Sequence, residues 1–222
     1  LFDRVVEKID KRLPVISFGL VPAMWSFSYV SAKIVSAVNA YIVYGGPENT
    51  ANMLRYIGKE ALGHDYDYEP PQESLWQGFY HPDAPDAFAT AKDYLQWYDS
   101  RRCVKMHEHR VGILFFRTYW ANGDLAVVDS LIRELEKDVD VLPAFCFGLG
   151  DRDLGAMSSG EVVEEYFTGN VDAVINLQSI FHAGSVEKSA LALKKLDVPV
   201  FHPLTVYHKS EEEWMDDIHG LS

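Results

Sequence analysis

Val111-Gly112-Ile113-Leu114-Phe115-Phe116-Arg117-Thr118-Tyr119-Trp120 is the stretch that decides the fold. Its first six residues run without a polar break, and Arg117 then ends the run abruptly. A continuous apolar run of this length, as opposed to an alternating one, marks a strand covered on both faces. Downstream the pattern recurs with helices between. Asp124 to Lys137 carries Leu125, Val128, Leu131, Ile132 and Leu135 at helical spacing, and Val141 to Phe147 is a second strand. Gly160 to Phe167 reads as a helix, Val171 to Leu177 as a third strand, and Val186 to Leu196 as another helix. Val198 to Leu204 is a fourth strand and Ser210 to Ile218 a last helix. Strand and helix in alternation predict an α/β fold, a doubly wound, flavodoxin-like parallel sheet with right-handed crossovers.

Upstream the chain reads as mainly helical. Phe2, Val5, Val6, Ile9 and Leu13 lie at spacings of three and four, and Pro14 ends that stripe. Val15 to Leu20 is a short strand or an extended link. Ala23 to Tyr44 is apolar or small almost all round, the pattern of a helix buried in a larger protein. Gly45-Gly46 breaks it, and Pro47 opens a second helix through Met53, Leu54, Ile57 and Leu62, with Gly46 as N-cap and Glu48 in its first turn. His64 to Pro85 holds Pro70, Pro71, Pro82 and Pro85 among Tyr and Asp residues and reads as a loop. Pro85 to Arg102 returns to helix. Arg101, Arg102, Lys105, Glu108 and Arg110 mark a linker, so the expected division is a helical segment over 1–106 and an α/β domain over 107–222.

The 222 residues suit one or two domains at roughly 150 residues each. Asp and Glu outnumber Lys and Arg by 33 to 20, a net charge of -13 that sets the chain against polyphosphate backbones, so no nucleic-acid partner is expected. Pro22, Ser26, Ser28, Ser31, Lys33, Ser36 and Asn39 interrupt the longest apolar stretches, which argues against a membrane span. Without an export signal, and with only Cys103 and Cys146 far apart, a reduced, cytoplasmic protein is expected. The start at Leu1 and the stop at Ser222 read as a piece of something longer.

Ligands of parallel sheets settle beyond the carboxyl ends of the strands. There the sequence places Arg117, Tyr119 and Trp120 after the first strand, and Gly148, Asp151, Arg152 and Asp153 after the second. Gln178, Ser179, Phe181 and His182 follow the third, and His202, Tyr207 and His208 surround the end of the fourth. An Arg flanked by aromatics can bind a carboxylate while the rings pack on a flat ligand. Equally, the rings can cover the sheet edge while Arg117 pairs with an Asp. His182, His202 and His208 lie on neighbouring loops but lack the i, i+4 spacing of a strong metal motif, so no metal site is assigned. His107-Glu108-His109 reads as a solvated cluster. No phosphate loop occurs, Asp153 stands where a dinucleotide fingerprint needs Gly, and no Gly-x-Ser-x-Gly elbow is present.

Several segments carry a family resemblance. Val111 to Tyr119, Asn122-Gly123-Asp124, Val128 to Glu136, Leu142-Pro143-Ala144-Phe145 with Gly148-Leu149, and Val171 to Leu177 resemble the large subunits of cobaltochelatase and magnesium chelatase. Leu196 to Val200, Glu213-Trp214 and Gly220-Leu221 continue the likeness. Tyr44-Gly45-Gly46-Pro47-Glu48-Asn49 and Gly78-Phe79-Tyr80-His81-Pro82-Asp83 are similar to two further signatures. The resemblance implies an amino-terminal fragment of an ATP-dependent enzyme that inserts a divalent metal, Co2+ or Mg2+, into a tetrapyrrole. It implies AAA+ ATPase partner subunits that use ATP and Mg2+, and a fragment inactive by itself and holding no cofactor of its own. It assigns no catalytic residue here. Arg117, Tyr119, Trp120, Gln178, His182, His202 and His208 are the substrate-binding candidates. Asn176-Leu177 and Gly45 to Asn49 lean to the cobalt type and cobalamin formation, while Pro143 to Phe145 with Gly148 to Arg152 is similar to the magnesium branch. A non-catalytic module docking the ATPase subunits is the competing reading, and a periplasmic-type binding domain shares the sheet but lacks an export signal.

Overall fold

The computed structural model describes residues 10, 13–17, 22–101, 107–179, 181, 184–203 and 209–217. Two compact units divide the chain. One comprises Leu1–Ser74 with Ala121–Asp124, the other Leu75–Trp120 with Leu125–Ser222. The seam thus falls at Ser74 and not at 106, and residues 75–101, expected with the helical half, belong to the sheet's unit.

In the first unit, helix α1 (Ala32–Tyr44) and helix α2 (Pro47–Glu60) enclose a small core of Ile34, Val38, Tyr41 and Tyr56. The single helix expected over 23–44 is instead broken. Pro22–Phe27 forms a 3-10 turn, and α1 starts only at Ala32 behind an extended Ser31. At the break the Tyr29 N–H donates to the Val15 carbonyl at 2.8 Å and so is lost to the helical ladder, while the Ser28 hydroxyl beside it accepts the Ser17 N–H at 2.9 Å. Gly46 and Pro47 open α2 as expected. The Pro-rich segment after α2 is held by two buried asparagines. Asn49 donates to the Gln72 carbonyl at 2.8 Å and accepts the Gln72 N–H at 2.9 Å, while Asn52 accepts the Glu69 N–H at 3.1 Å. The expected helix over Phe2 to Leu13 lies outside the described residues except at Asp10 and Leu13.

The second unit is built on a five-stranded sheet in the order β1-β3-β2-β4-β5. Strands β2 (Arg110–Phe116), β3 (Asp140–Cys146), β4 (Ala173–Asn176) and β5 (Val200–Phe201) are parallel. Counted among themselves, they follow the order 2-1-3-4 in which a flavodoxin-type sheet begins. The expected α/β class therefore holds. Strand β1 (Gln77–Phe79) is an addition: it pairs antiparallel with β3, inside a segment expected to be loop throughout.

The helices expected over 85–102 and 124–137 are shorter than the periodicity predicts, whereas the one over Val186–Leu196 has the expected bounds. Helix α3 (Ala91–Ser100) starts behind Thr90, whose hydroxyl accepts the Asp93 N–H. Helix α4 (Arg117–Asn122) grows directly out of β2, and α5 (Ala126–Leu135) follows it. After β3 come α6 (Ser159–Val162), a π-helical turn at Val163–Phe167, and, beyond β4, α7 (Val186–Leu196). Helix α8 (Glu211–Asp216) follows β5. Right-handed crossovers set α5 on one face and α6 with α7 on the other, because the chain leaves β2 toward β3 and then hops back over β2 to β4. Ile113, Phe115, Val141, Leu142, Phe145 and Phe167 are buried completely between these layers.

Strand β1 reaches only as far as Ala144, so the amino half of β3 has no strand partner on its outer side among the described residues. Side chains of α3 replace one. The Tyr94 hydroxyl donates to the Val141 carbonyl at 3.0 Å, and the Tyr98 oxygen accepts the Val141 N–H at 3.3 Å. Pro143, which has no N–H to leave unpaired, occupies the next outward position, and its carbonyl accepts the Tyr80 N–H at 3.0 Å. The order Tyr-x-x-x-Tyr on a helix thus completes a sheet edge.

Candidate functional site

At the carboxyl ends of β2, β3 and β4, the crevice where the winding direction changes is filled. Gln178, fully buried, donates to the Phe115 carbonyl and to Cys146 Sγ, both at 3.3 Å. Its side-chain oxygen accepts the Ser159 hydroxyl at 2.7 Å, and its N–H donates to Asn176 at 3.0 Å. The side-chain amide therefore ties β2, β3 and α6 together while the backbone N–H adds β4, and burial pushes the Cys146 thiol's pKa up. Gln178 sits where ligands of such sheets usually bind, but here it acts as the plug.

Arg117 is likewise interior. Its Nε donates to the Leu75 carbonyl at 2.6 Å, and its guanidinium lies 4.5 Å from the Trp76 ring centre. Desolvation lowers its pKa. Trp120 stacks on Phe145 with ring centres 4.5 Å apart and planes at 11°, and Tyr119 stands edge-on to Phe116. Both rings are half-buried. His202 is exposed, apart from this cluster, while His182, Tyr207 and His208 lie outside the described residues. The structure thus brings Arg117 and Gln178 into the packed base of the carboxyl-end face.

The open part of that face lies over the loop after β3. A cleft of about 190 Å3 is lined by Gly150, Asp151, Arg152, Ser158, Glu161 and Lys188, among others. Its floor is stiffened at several points. Asp151 and Ala156 exchange two backbone hydrogen bonds of 2.8 Å, and the Asp151 carboxylate accepts the Asp153 and Leu154 N–H groups. Gln77 of β1 reaches across, donating to the Gly155 carbonyl and accepting the Met157 N–H. Ser158 caps α6 reciprocally with Glu161, whose carboxyl is held below its usual pKa by the bonds from Ser158. Gly148 adopts φ 90°, and a Cβ there would stand 2.9 Å from the Phe116 ring, so only glycine fits. Arg152 and Lys188 project into the cleft's surroundings as exposed cations in an acidic chain. Sequence reading named Arg152 but missed Trp76, Gln77 and Lys188, because the first two lie in a segment without periodicity and the third in an ordinary helix turn.

Two further features flank the sheet. At the amino ends of the strands, a hollow of about 420 Å3 is lined by His107, Glu108, His109, Asp140 and Asp172. His109 pairs with Asp172 at 3.6 Å and its side chain is largely exposed, so the His107-Glu108-His109 cluster is solvated as expected. Below β1, His81 is buried against Trp97 and Tyr98. Its Nδ1 accepts the Asp83 N–H at 3.1 Å, so Nε2 carries the proton and donates to Glu136 at 3.1 Å. Arg101 links Asp83 and Glu136 at 2.6 and 2.7 Å, and Arg133 grips Asp83 with both nitrogens. Among the described residues no group of three or more His, Cys, Asp or Glu is placed to hold a metal ion, and no helix is long and apolar enough to cross a membrane.

This architecture is shared with a solved enzyme subunit. The chain superposes over 99% of its length on the catalytic subunit of cobaltochelatase from Mycobacterium tuberculosis, with a TM-score of 0.60 and 19% identity, covering 17% of that chain. In sequence, residues 39–222 match the CobN/Magnesium Chelatase family model, and the chain belongs to that family. Its relatives include an uncharacterised protein of Methanocaldococcus jannaschii, 37% identical over 98% of this chain. The chloroplastic ChlH protein of the magnesium chelatase of Oryza sativa subsp. indica is 31% identical over 80% of the chain, and a magnesium-chelatase protein of Chlorobaculum parvum is 30% identical over 80%. The chain spans only 17% of the first of these proteins and 14% of each of the other two.

Proposed function

We propose that the chain is part of a cobaltochelatase-type large subunit that binds a tetrapyrrole for insertion of a divalent metal during cobalamin formation in the cytoplasm. The observation that carries the reading is the stiffened cleft at the carboxyl-end face, with Arg152 and Lys188 beside it. Tetrapyrroles of biosynthetic pathways carry carboxylate side chains round a flat apolar ring, and an Arg and a Lys lining one cleft suit that rim. Arg117 and Gln178 hold the face from beneath. Trp120, Tyr119 and His202, with His182 and His208, are the further candidates for contact with the macrocycle. The metal is substrate, delivered to residues elsewhere in the longer subunit, and the AAA+ ATPase partners supply the work of ATP hydrolysis.

A second reading, the large subunit of a magnesium chelatase, is favoured by the rice and Chlorobaculum relatives at 31% and 30% identity. Metal insertion decides between the two. The full gene product is mixed with the ATPase subunits, ATP and either a corrin-type ring with Co2+ or a protoporphyrin with Mg2+, and absorption is followed. The cobalt reading expects turnover only with the first pair. Turnover only with the second establishes the magnesium reading, and turnover with neither contradicts both.

A further inference from the structure

We propose that the outer edge of β5 seats a further parallel strand, contributed by the same polypeptide through a crossover that begins with α8. Strand β5 is last in the sheet order. The Val174 N–H bonds to the Pro199 carbonyl, so Pro199 and Phe201 turn their backbone groups to β4, and alternation turns those of Val200 outward. The edge is apolar as well as without a strand partner among the described residues: Val200 is 37% and Phe201 59% exposed. Natural sheets cover or charge such an edge, since it otherwise templates aggregation. Helix α8 shows the same unfinished packing, with Trp214 40% and Met215 71% exposed although a double Ser210–Glu213 cap fixes its start.

A strand, a short helix with an unburied apolar face, and an open parallel edge are the first two-thirds of a βαβ unit. Such units close right-handed, and continuing in the direction of β4, α7 and β5 sets the next strand outside β5. The relatives have the polypeptide to supply it, since this chain spans 14–17% of their length. A second copy of the chain is a poor occupant, because α8 presents Glu212, Glu213 and Asp216 and the chain carries a net charge of -13.

The test is hydrogen exchange at the Val200 amide, read by mass spectrometry on a peptide spanning 198–203 in the full-length gene product. The proposal expects exchange slowed at least about tenfold relative to an unpaired amide, at every protein concentration. Val200→Pro, which an edge strand tolerates and an interior strand does not, then lowers the melting temperature of the full-length protein. In the 222-residue chain, with the β2 amides protected as the check on folding, the same amide exchanges fast. Free exchange in the full-length protein, or a Val200→Pro protein that melts unchanged, overturns the proposal. So does protection that appears only at high concentration, which assigns the edge to a second copy, or equal protection in the 222-residue chain.

Discussion

Single side chains govern this structure where a sheet's ordinary rules leave a gap, and Gln178 and His81 are the plainest cases. Replacing Gln178 with Leu removes the 2.7 Å acceptor of the Ser159 hydroxyl, which keeps only its 3.3 Å bond to the Gly148 carbonyl, and takes a donor from the Phe115 carbonyl, a loss of about 1–3 kcal/mol in a chemical denaturation experiment. His81 adds a pH dependence. Burial, and next the charge of Arg101, lower its pKa from the ordinary 6.5, so the unfolded chain takes up the proton first as pH falls. Stability from this residue is therefore complete above pH 6.5 and drains away below it. Asp83, held well below the usual carboxylate range first by its bonds to Arg133, opens a second window of loss below its ordinary 3.8. Urea midpoints should fall between pH 7.5 and 5.5, and His81→Gln should flatten that part of the profile while lowering the whole curve. Neither role is legible from sequence. Gln178 sits where a ligand contact is expected, and only the register of three strands shows that its amide is spent on them.

Elements were legible in proportion to how continuous their apolar runs are. Strands β2, β3 and β4 emerge from runs such as Val111 to Phe116, and the helix α7 from its period between Ser185 and Asp197. Strand β1 could not be found that way. Gln77-Gly78-Phe79 is three residues long, sits among prolines, and becomes a strand only because β3 offers an edge. Gly78 is what admits it, since a Cβ there would lie 2.6 Å from the Phe88 carbonyl oxygen. Gly78→Ala should therefore detach β1, costing about 1–3 kcal/mol in thermal denaturation and exposing Gln77 and the loop it pins to protease. Tyr98→Phe is the milder partner of that experiment. It leaves the Val141 N–H without its acceptor and should cost about 1–2 kcal/mol by the same measurement. If both variants melt like the parent, the β3 edge is not completed in the manner described.

For the whole molecule, charge and family point in one direction. In the proposed reading, Arg152 and Lys188, which share the cleft with Asp151 and Glu161, are the cations that meet an anionic ring in a chain whose net charge opposes it. The α/β class was readable from the alternation of strands and helices and the family from the ordered run of motifs between Tyr44 and Leu221, whereas the seam at Ser74 was not, because it depends on which residues pack and not on composition. The most direct test of the central claim is an absorption titration of the full-length protein with a carboxylated tetrapyrrole, repeated for Arg152→Glu/Lys188→Glu. The account predicts a saturable band shift in the parent and binding weakened about tenfold or more in the double variant, as expected for reversing two charges beside bound carboxylates. A shift of identical affinity in both proteins would contradict it.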